Sequence, residues 1–269
     1  MENLTSHSCA DSAKQNEIKV DAIVLAGGDG SVIDPQTAVK GMVKIAGKPM
    51  VQWVVEALRQ AKHVDKIAVV LPPGQDMSSW EHLVDHMVLN DGLVSDNIIK
   101  AKNALDSDCF IISITSDIPS VTPAAIDSFI ELTLQRGVDI SYPYIREAVM
   151  ESAYPDSERT YFKIDGNKVT GGNAMMLESK HFDHLREVGQ ELFESRKNPI
   201  KMANMVGASL ALKLVTGKLS SADLEERVGK IIKLKCAAIV IDDASIAADV
   251  DKPEDVAVVE AKLKQAKAG

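Results

Sequence analysis

The chain has 269 residues, 45% of them apolar, which is enough for one large hydrophobic core. Its formal charge of −9 and 4% aromatic content supply neither a basic surface to follow a phosphate backbone nor a platform for stacking bases, so nucleic acid is excluded as a partner. No apolar run reaches the roughly 20 residues of a membrane span and the first residues lack the regions of a signal peptide, so a cytoplasmic location is expected.

Residues 1–17 are polar and aperiodic, as in a flexible tail, and residues 18–269 read as a single domain. Val20 to Leu25 is an apolar strand that runs into Ala26, Gly27, Gly28, Asp29 and Gly30, where the backbone can turn sharply and approach a ligand closely. The dinucleotide fingerprint fails, since Ile33 stands where its third glycine belongs. The P-loop fails too, because Gly41 and Gly47 are separated by five residues and Lys48 is followed by Pro49. Met42 to Ile45 reads as a short strand, Gly47 to Pro49 as a turn, and Val51 to Lys62 as a helix whose Val51, Val54, Val55 and Leu58 form one apolar face.

Lys66 to Leu71 is a further strand, followed by helical segments around Trp80 to Met87 and Asp96 to Leu105. Asp108 to Ile114 is the next strand, delivering Thr115, Ser116 and Asp117 at its carboxyl end before Thr122 and Pro123 open a helix. The alternation predicts a three-layer α/β fold, a mostly parallel, Rossmann-like sheet with helices on both faces. Ligands of such sheets bind at the carboxyl ends of the strands, which aligns the Leu25 to Gly30 loop, the Leu71 to Gly74 turn and Asp117 along one edge.

In the second half, Val138 to Ile145 and Arg159 to Ile164 read as strands and Asp165 to Lys168 as a turn. About four helical segments, one opened by a capping box at Ser220 to Asp223, form an accessory helical layer over about residues 178–234. Arg159, Lys163, Arg196, Lys197 and Lys201 are candidate contacts for an anionic ligand, and Gly171, Gly172 and Asn173 would let it approach the backbone. Cys9, Cys109 and Cys236 form no C-x-x-C pair. The histidines His7, His63, His82, His86, His181 and His184 are scattered, with His82 and His86 expected on a surface helix, so zinc is not implied.

The loop Leu25-Ala-Gly-Gly-Asp-Gly30, the segment Lys40 to Pro49, the strand ending in Asp117-Ile-Pro119 and the segment Asp249-Val-Asp-Lys-Pro-Glu-Asp255 together resemble the MobA-like NTP transferases, which have a GT-A-like nucleotidyltransferase fold. The resemblance spans Asp21 to about Leu263. It implies transfer of a nucleotidyl group from an NTP to a phosphorylated small-molecule acceptor with release of pyrophosphate. It also implies Mg²⁺ held by Asp117 and Asp249, Lys40 opposing charge at the α-phosphate, and the backbone from Leu25 through Gly30 cradling the phosphates. Asn90 and Asn97 would lie near the base, Gly27 points to GTP, and Gly171, Gly172 and Asn173 would face the acceptor. Asp251 is a spare carboxylate expected to cap the helix near Pro253. One position departs from the family pattern: Val32 stands where the loop arginine belongs, which leaves a catalytically weak or inactive nucleotide-binding sensor as the alternative.

Overall fold

The computed structural model describes residues 19–186, 188 and 207–268. The expected tail and the candidates Arg196, Lys197 and Lys201 lie outside them. The central sheet runs β5 (His86–Leu89), β4 (Val64–Leu71), β1 (Val20–Leu25), β6 (Phe110–Thr115), β10 (Ala174–Glu178), β7 (Ile140–Arg146), β9 (Asn167–Gly171) and β8 (Phe162–Ile164), with β11 (Cys236–Val240) also paired to β7. The first four are mutually parallel, and β10 then runs antiparallel to β6. A small hairpin, β2 (Lys44–Ile45) with β3 (Lys48–Pro49), stands apart from this sheet.

Both faces of β1 are buried, as its unbroken apolar run requires of a central parallel strand. Ala22 and Val24 join one core with Val54, Val55 and Leu58 of α1 (Met50–Gln60) and Ile126, Phe129 and Ile130 of α3 (Pro123–Arg136). Ile23 turns to a second core with Ala101 and Leu105 of α2 (Val94–Leu105). Helices therefore cover both faces of the sheet, the three-layer α/β arrangement expected from the alternation. The start of α3 is set locally: the Thr122 hydroxyl accepts from Ala125 N at 3.0 Å and Pro123 takes the first turn, where its missing N–H costs nothing.

One element differs from its sequence pattern. The stretch Trp80 to Met87 is not a helix: it holds a 3₁₀ turn at Glu81–Leu83, and from His86 it becomes the edge strand β5, so His82 and His86 share no helix face. Pairing of His86 to Leu89 with Ala68 to Leu71 satisfies the backbone that a helix would otherwise have satisfied internally. Beyond β7 come the short α4 (Glu147–Ala153) and the β8–β9 hairpin. That hairpin turns at Asp165 and Gly166, both left-handed at φ 49° and 76°, the conformation an Asp-Gly pair favours.

In the accessory region the described elements are a 3₁₀ turn at Ser179–His181, α5 (Ala208–Val215) and α6 (Ser221–Ile232). The capping box is present: Ser220 Oγ accepts from Asp223 N at 3.1 Å, and Asp223 accepts from Ser220 N at 3.3 Å. The last helix, α7 (Pro253–Ala268), brings Val259 and Leu263 against Ile45 and Met50. Among the described residues no helix is long and apolar enough to cross a membrane.

Candidate active site

The parallel register aligns the carboxyl ends of three strands, with Leu25 of β1 opposite Val70 of β4 and Thr115 of β6. The glycine loop leaves from this edge. Ala26 N donates to Val70 O at 2.9 Å and Gly30 N to Ala38 O at 3.0 Å, so both are consumed by the fold. Among the described residues the N–H groups of Gly27, Gly28 and Asp29 have no protein acceptor, and these lie between the two anchored ones. Gly28 has φ +87°, and Gly30 lies so close to the returning chain that a Cβ there would stand 2.5 Å from Thr37 O. Ser31 donates through its N–H and its hydroxyl to the Asp29 carboxylate, and these bonds hold that exposed carboxyl below the usual range.

Lys40 opens the 3₁₀ turn Lys40–Met42 and is fixed to the loop by its own N–H, which donates to Gly28 O at 3.0 Å. Its ammonium reaches Asp117 Oδ2 at 2.5 Å and also pairs with Asp251. Burial opposes the lysine charge, but the two carboxylates outweigh it and the pKa is raised. Asp117 is held in place from two sides: its Oδ1 accepts from Thr115 Oγ1 at 2.5 Å, and its backbone carbonyl accepts from Val250 N at 2.8 Å. That second bond brings in the segment carrying Asp249 and Asp251.

One oxygen from each of Asp117, Asp249 and Asp251 lies within 4.8 Å of the other two. Burial raises the Asp249 pKa; the paired Arg159 guanidinium pulls it down, while Asp251 and Asp117 push it further up. Asp251 is also disfavoured by burial, yet its hydrogen bond to Lys40 and the lysine charge hold it below the ordinary range. The expected helix-capping role of Asp251 is corrected here. Asp255 accepts from the N–H groups of Asp251 and Lys252 at 2.9 and 3.0 Å, which leaves the Asp251 carboxylate facing Lys40. An all-carboxylate oxygen set of this kind fits a hard divalent cation such as Mg²⁺.

Arg159, a candidate acceptor contact by sequence, sits inside the cluster, pairing with the Asp249 carboxylate and donating to the Asp249 carbonyl at 3.2 Å. Lys163 lies elsewhere, alongside Gly217. Gly171 and Gly172 allow close packing: a Cβ on the first would stand 2.7 Å from the Tyr142 hydroxyl, and one on the second 2.9 Å from Pro143 Cγ. Asn173 links the centre together, its carbonyl accepting from Thr115 N at 3.0 Å and its N–H donating to Ile246 O at 2.9 Å. Tyr142, which no local pattern marks, donates to Gly172 O at 2.5 Å, and burial and the Asp249 charge raise its pKa.

On the other side of the loop, Asn97 is buried and donates to Asn90 Oδ1 at 2.6 Å. Asn90 in turn lies against Gly27, where a Cβ would stand 2.8 Å from its amide nitrogen. Asn97 thus orients Asn90, and Asn90 borders the loop. Val32 is 62% exposed near the tip of the loop, and Lys44, also exposed, has Asp76 nearby.

A family model described as MobA-like NTP transferase domain matches residues 22–197. No curated protein matches the chain by sequence. Among solved structures, a hypothetical transferase from Thermus thermophilus is similar over 89% of this chain and 100% of its own, with 27% identity and a TM-score of 0.78. CMP:2-keto-3-deoxy-manno-octonic acid synthetase complexed with CTP is similar over 92% of this chain and 100% of its own, with 14% identity and a TM-score of 0.59. The 2-C-methyl-D-erythritol 4-phosphate cytidylyltransferase, also from Thermus thermophilus, is similar over the same shares, 92% and 100%, with 14% identity and a TM-score of 0.53. At such identity the last two likenesses are of fold.

Proposed function

The chain belongs to the MobA-like NTP transferase family, and on that premise we propose that it transfers a nucleotidyl group from an NTP, with GTP favoured, to a phosphorylated small-molecule acceptor and releases pyrophosphate. The observation that carries this reading is Lys40, held by the glycine loop and by Asp117 and Asp251 at the carboxyl ends of the parallel strands, with Asp249 completing the cluster. Three carboxylates against Lys40 and Arg159 leave one negative charge uncompensated, a setting that favours a further cation. Asp117, Asp249 and Asp251 would hold Mg²⁺, which when bound neutralises phosphate charge at the reacting centre.

The rest of the chemistry falls to the chain's own groups. The N–H groups of Gly27, Gly28 and Asp29 would hold phosphate oxygens, because such groups in a glycine loop form an anion cradle. Lys40 would stabilise the charge that develops at the α-phosphate, a gain realised only in the transition state. A phosphomonoester acceptor has a second pKa of about 6, so near neutrality it is already nucleophilic and needs no general base. Gly171, Gly172 and Asn173 would receive it, and Arg159, its guanidinium held by Asp249 and Ser157, would add positive charge beside it.

The donor assignment rests on Gly27. A side chain there would stand 2.8 Å from the Asn90 amide nitrogen, so its absence lets Asn90 close on the loop where the base would lie. Exposed Val32, in a loop that carries no arginine, favours a second reading, a nucleotide sensor with little or no turnover. Pyrophosphate release with each of the four NTPs, a panel of sugar, cyclitol and pterin phosphates, and Mg²⁺ present or absent separates these possibilities. Mg²⁺-dependent pyrophosphate release that is fastest with GTP is expected. Faster release with CTP would overturn the donor assignment alone, whereas NTP binding without release for any acceptor would replace the enzyme by the sensor.

A further inference from the structure

A second cluster of metal-ligating side chains lies at the opposite end of the sheet. Glu178 pairs with Phe110, the first residue of β6, whereas Asp117 follows the last, so β6 separates the two clusters by about 20 Å at roughly 3.3 Å per residue. Asp139, just before β7, accepts from Lys235 N through Oδ2 at 2.8 Å, which leaves Oδ1 directed elsewhere. Glu178 takes Lys180 Nζ on Oε1 at 2.7 Å, which leaves Oε2. His181 lies in the 3₁₀ turn that follows, and this turn is anchored by Ser179 N donating to Cys109 O at 2.8 Å.

The His181 Nε2 atom is buried and, among the described residues, without a hydrogen-bond partner, 3.6 Å from Asp139 Oδ1 and 3.8 Å from Glu178 Oε2. An imidazole that simply pairs with a carboxylate closes to hydrogen-bond distance, as His63 Nε2 does with Glu131 Oε1 at 2.7 Å in this same molecule. His181 instead stands back from both oxygens. All three donor atoms lie within 4.8 Å of one another. Ligand atoms about 2.1 Å from a tetrahedral ion are about 3.4 Å apart, close to the two spacings observed.

We propose that Asp139, Glu178 and His181 form a second metal site, for a divalent transition metal of the zinc type, distinct from the carboxylate cluster of the candidate active site. Imidazole with two carboxylates suits zinc, whereas Mg²⁺ prefers oxygen donors and dehydrates reluctantly, so the two sites select different ions. Three protein ligands leave a fourth position for water. The ion ties the start of β7 to the end of β10 and the turn beyond it, and through Lys235 to the start of β11, and so clasps the antiparallel half of the sheet.

Metal-free protein titrated with Zn²⁺ under excess Mg²⁺ tests this, with Co²⁺ as a spectroscopic substitute. One Zn²⁺ per chain is expected, with visible Co²⁺ absorption and a raised thermal midpoint. The affinity should fall at least tenfold in His181→Ala and in Glu178→Gln and stay unchanged in Asp117→Asn. Circular dichroism identifies a variant that fails to fold, and the other then decides. Absence of Zn²⁺ binding to the wild type, full binding in the folded His181 or Glu178 variant, or its loss in Asp117→Asn overturns the proposal.

Discussion

At the scale of single residues, the candidate active site is a set of charges paired with one another, largely shielded from bulk water except at the exposed Asp251. Asp117→Asn keeps the shape and the Val250 bond, which uses a backbone carbonyl, but removes the charge that faces Lys40. The expected outcome is a loss of turnover of about 10²-fold or more with an unchanged circular dichroism spectrum, since preorganised electrostatic groups contribute on that order. Lys40 has its own signature. Its pKa in the folded chain is raised above the ordinary lysine value of 10.5, so its stabilising effect is complete below pH 10.5 and is lost as the pH climbs through the folded value. Wild type should therefore be more stable than Lys40→Ala at pH 8, and thermal melts should show that gap narrowing above pH 10.5. A gap that widened there would contradict the ion-pair assignment.

At the scale of elements, the glycine loop is a matter of clearance. Gly30→Ala would push a methyl group into the carbonyl of Thr37 and the backbone of Val39, so a loss of about 1–3 kcal/mol in chemical denaturation, together with weaker NTP binding, is expected. Unchanged melting and binding would show that the loop can shift freely. Elements with strong local signals were legible in the sequence: β1 falls on Val20 to Leu25 as its apolar run indicates, and α3 begins where Thr122 and Pro123 say it should. Trp80, Leu83, Val84 and Met87 mimic a helical period, and only the unpaired edge of β4, invisible in sequence, draws this stretch into a turn and a strand. Asp251 carried a readable signal, standing two residues from Asp249, a spacing that would put both on one face of an extended backbone, and oxygens of both do meet in the cluster. Tyr142 and the Arg159 to Asp249 pair had none, because contacts between residues 90 positions apart leave no periodic trace.

At the scale of the whole molecule, the centre is assembled from the first strand, the middle of the chain and its last quarter, and this sets the order in which competence can be acquired. Asp117 accepts from Val250, Asn173 from Thr115, and Ile246 from Asn173, so the late segment is attached to elements made long before it. Strands β1, β4 and β6 can form a parallel core of their own, but the loop and Lys40 have no second and third carboxylate until Asp249 and Asp251 arrive. Contacts of such long sequence separation close late, because their loop entropy is lost before they are rewarded. Refolding from denaturant should therefore restore helical and sheet signal in an early phase and Mg²⁺-dependent nucleotide binding in a later one; simultaneous recovery would mean that the late segment docks with the first core. During synthesis, which proceeds from the amino end, the same geometry acts as a timer: a half-made chain can be ordered yet chemically silent, and it would begin to consume nucleotide only when its closing turns have locked onto a sheet that is already built.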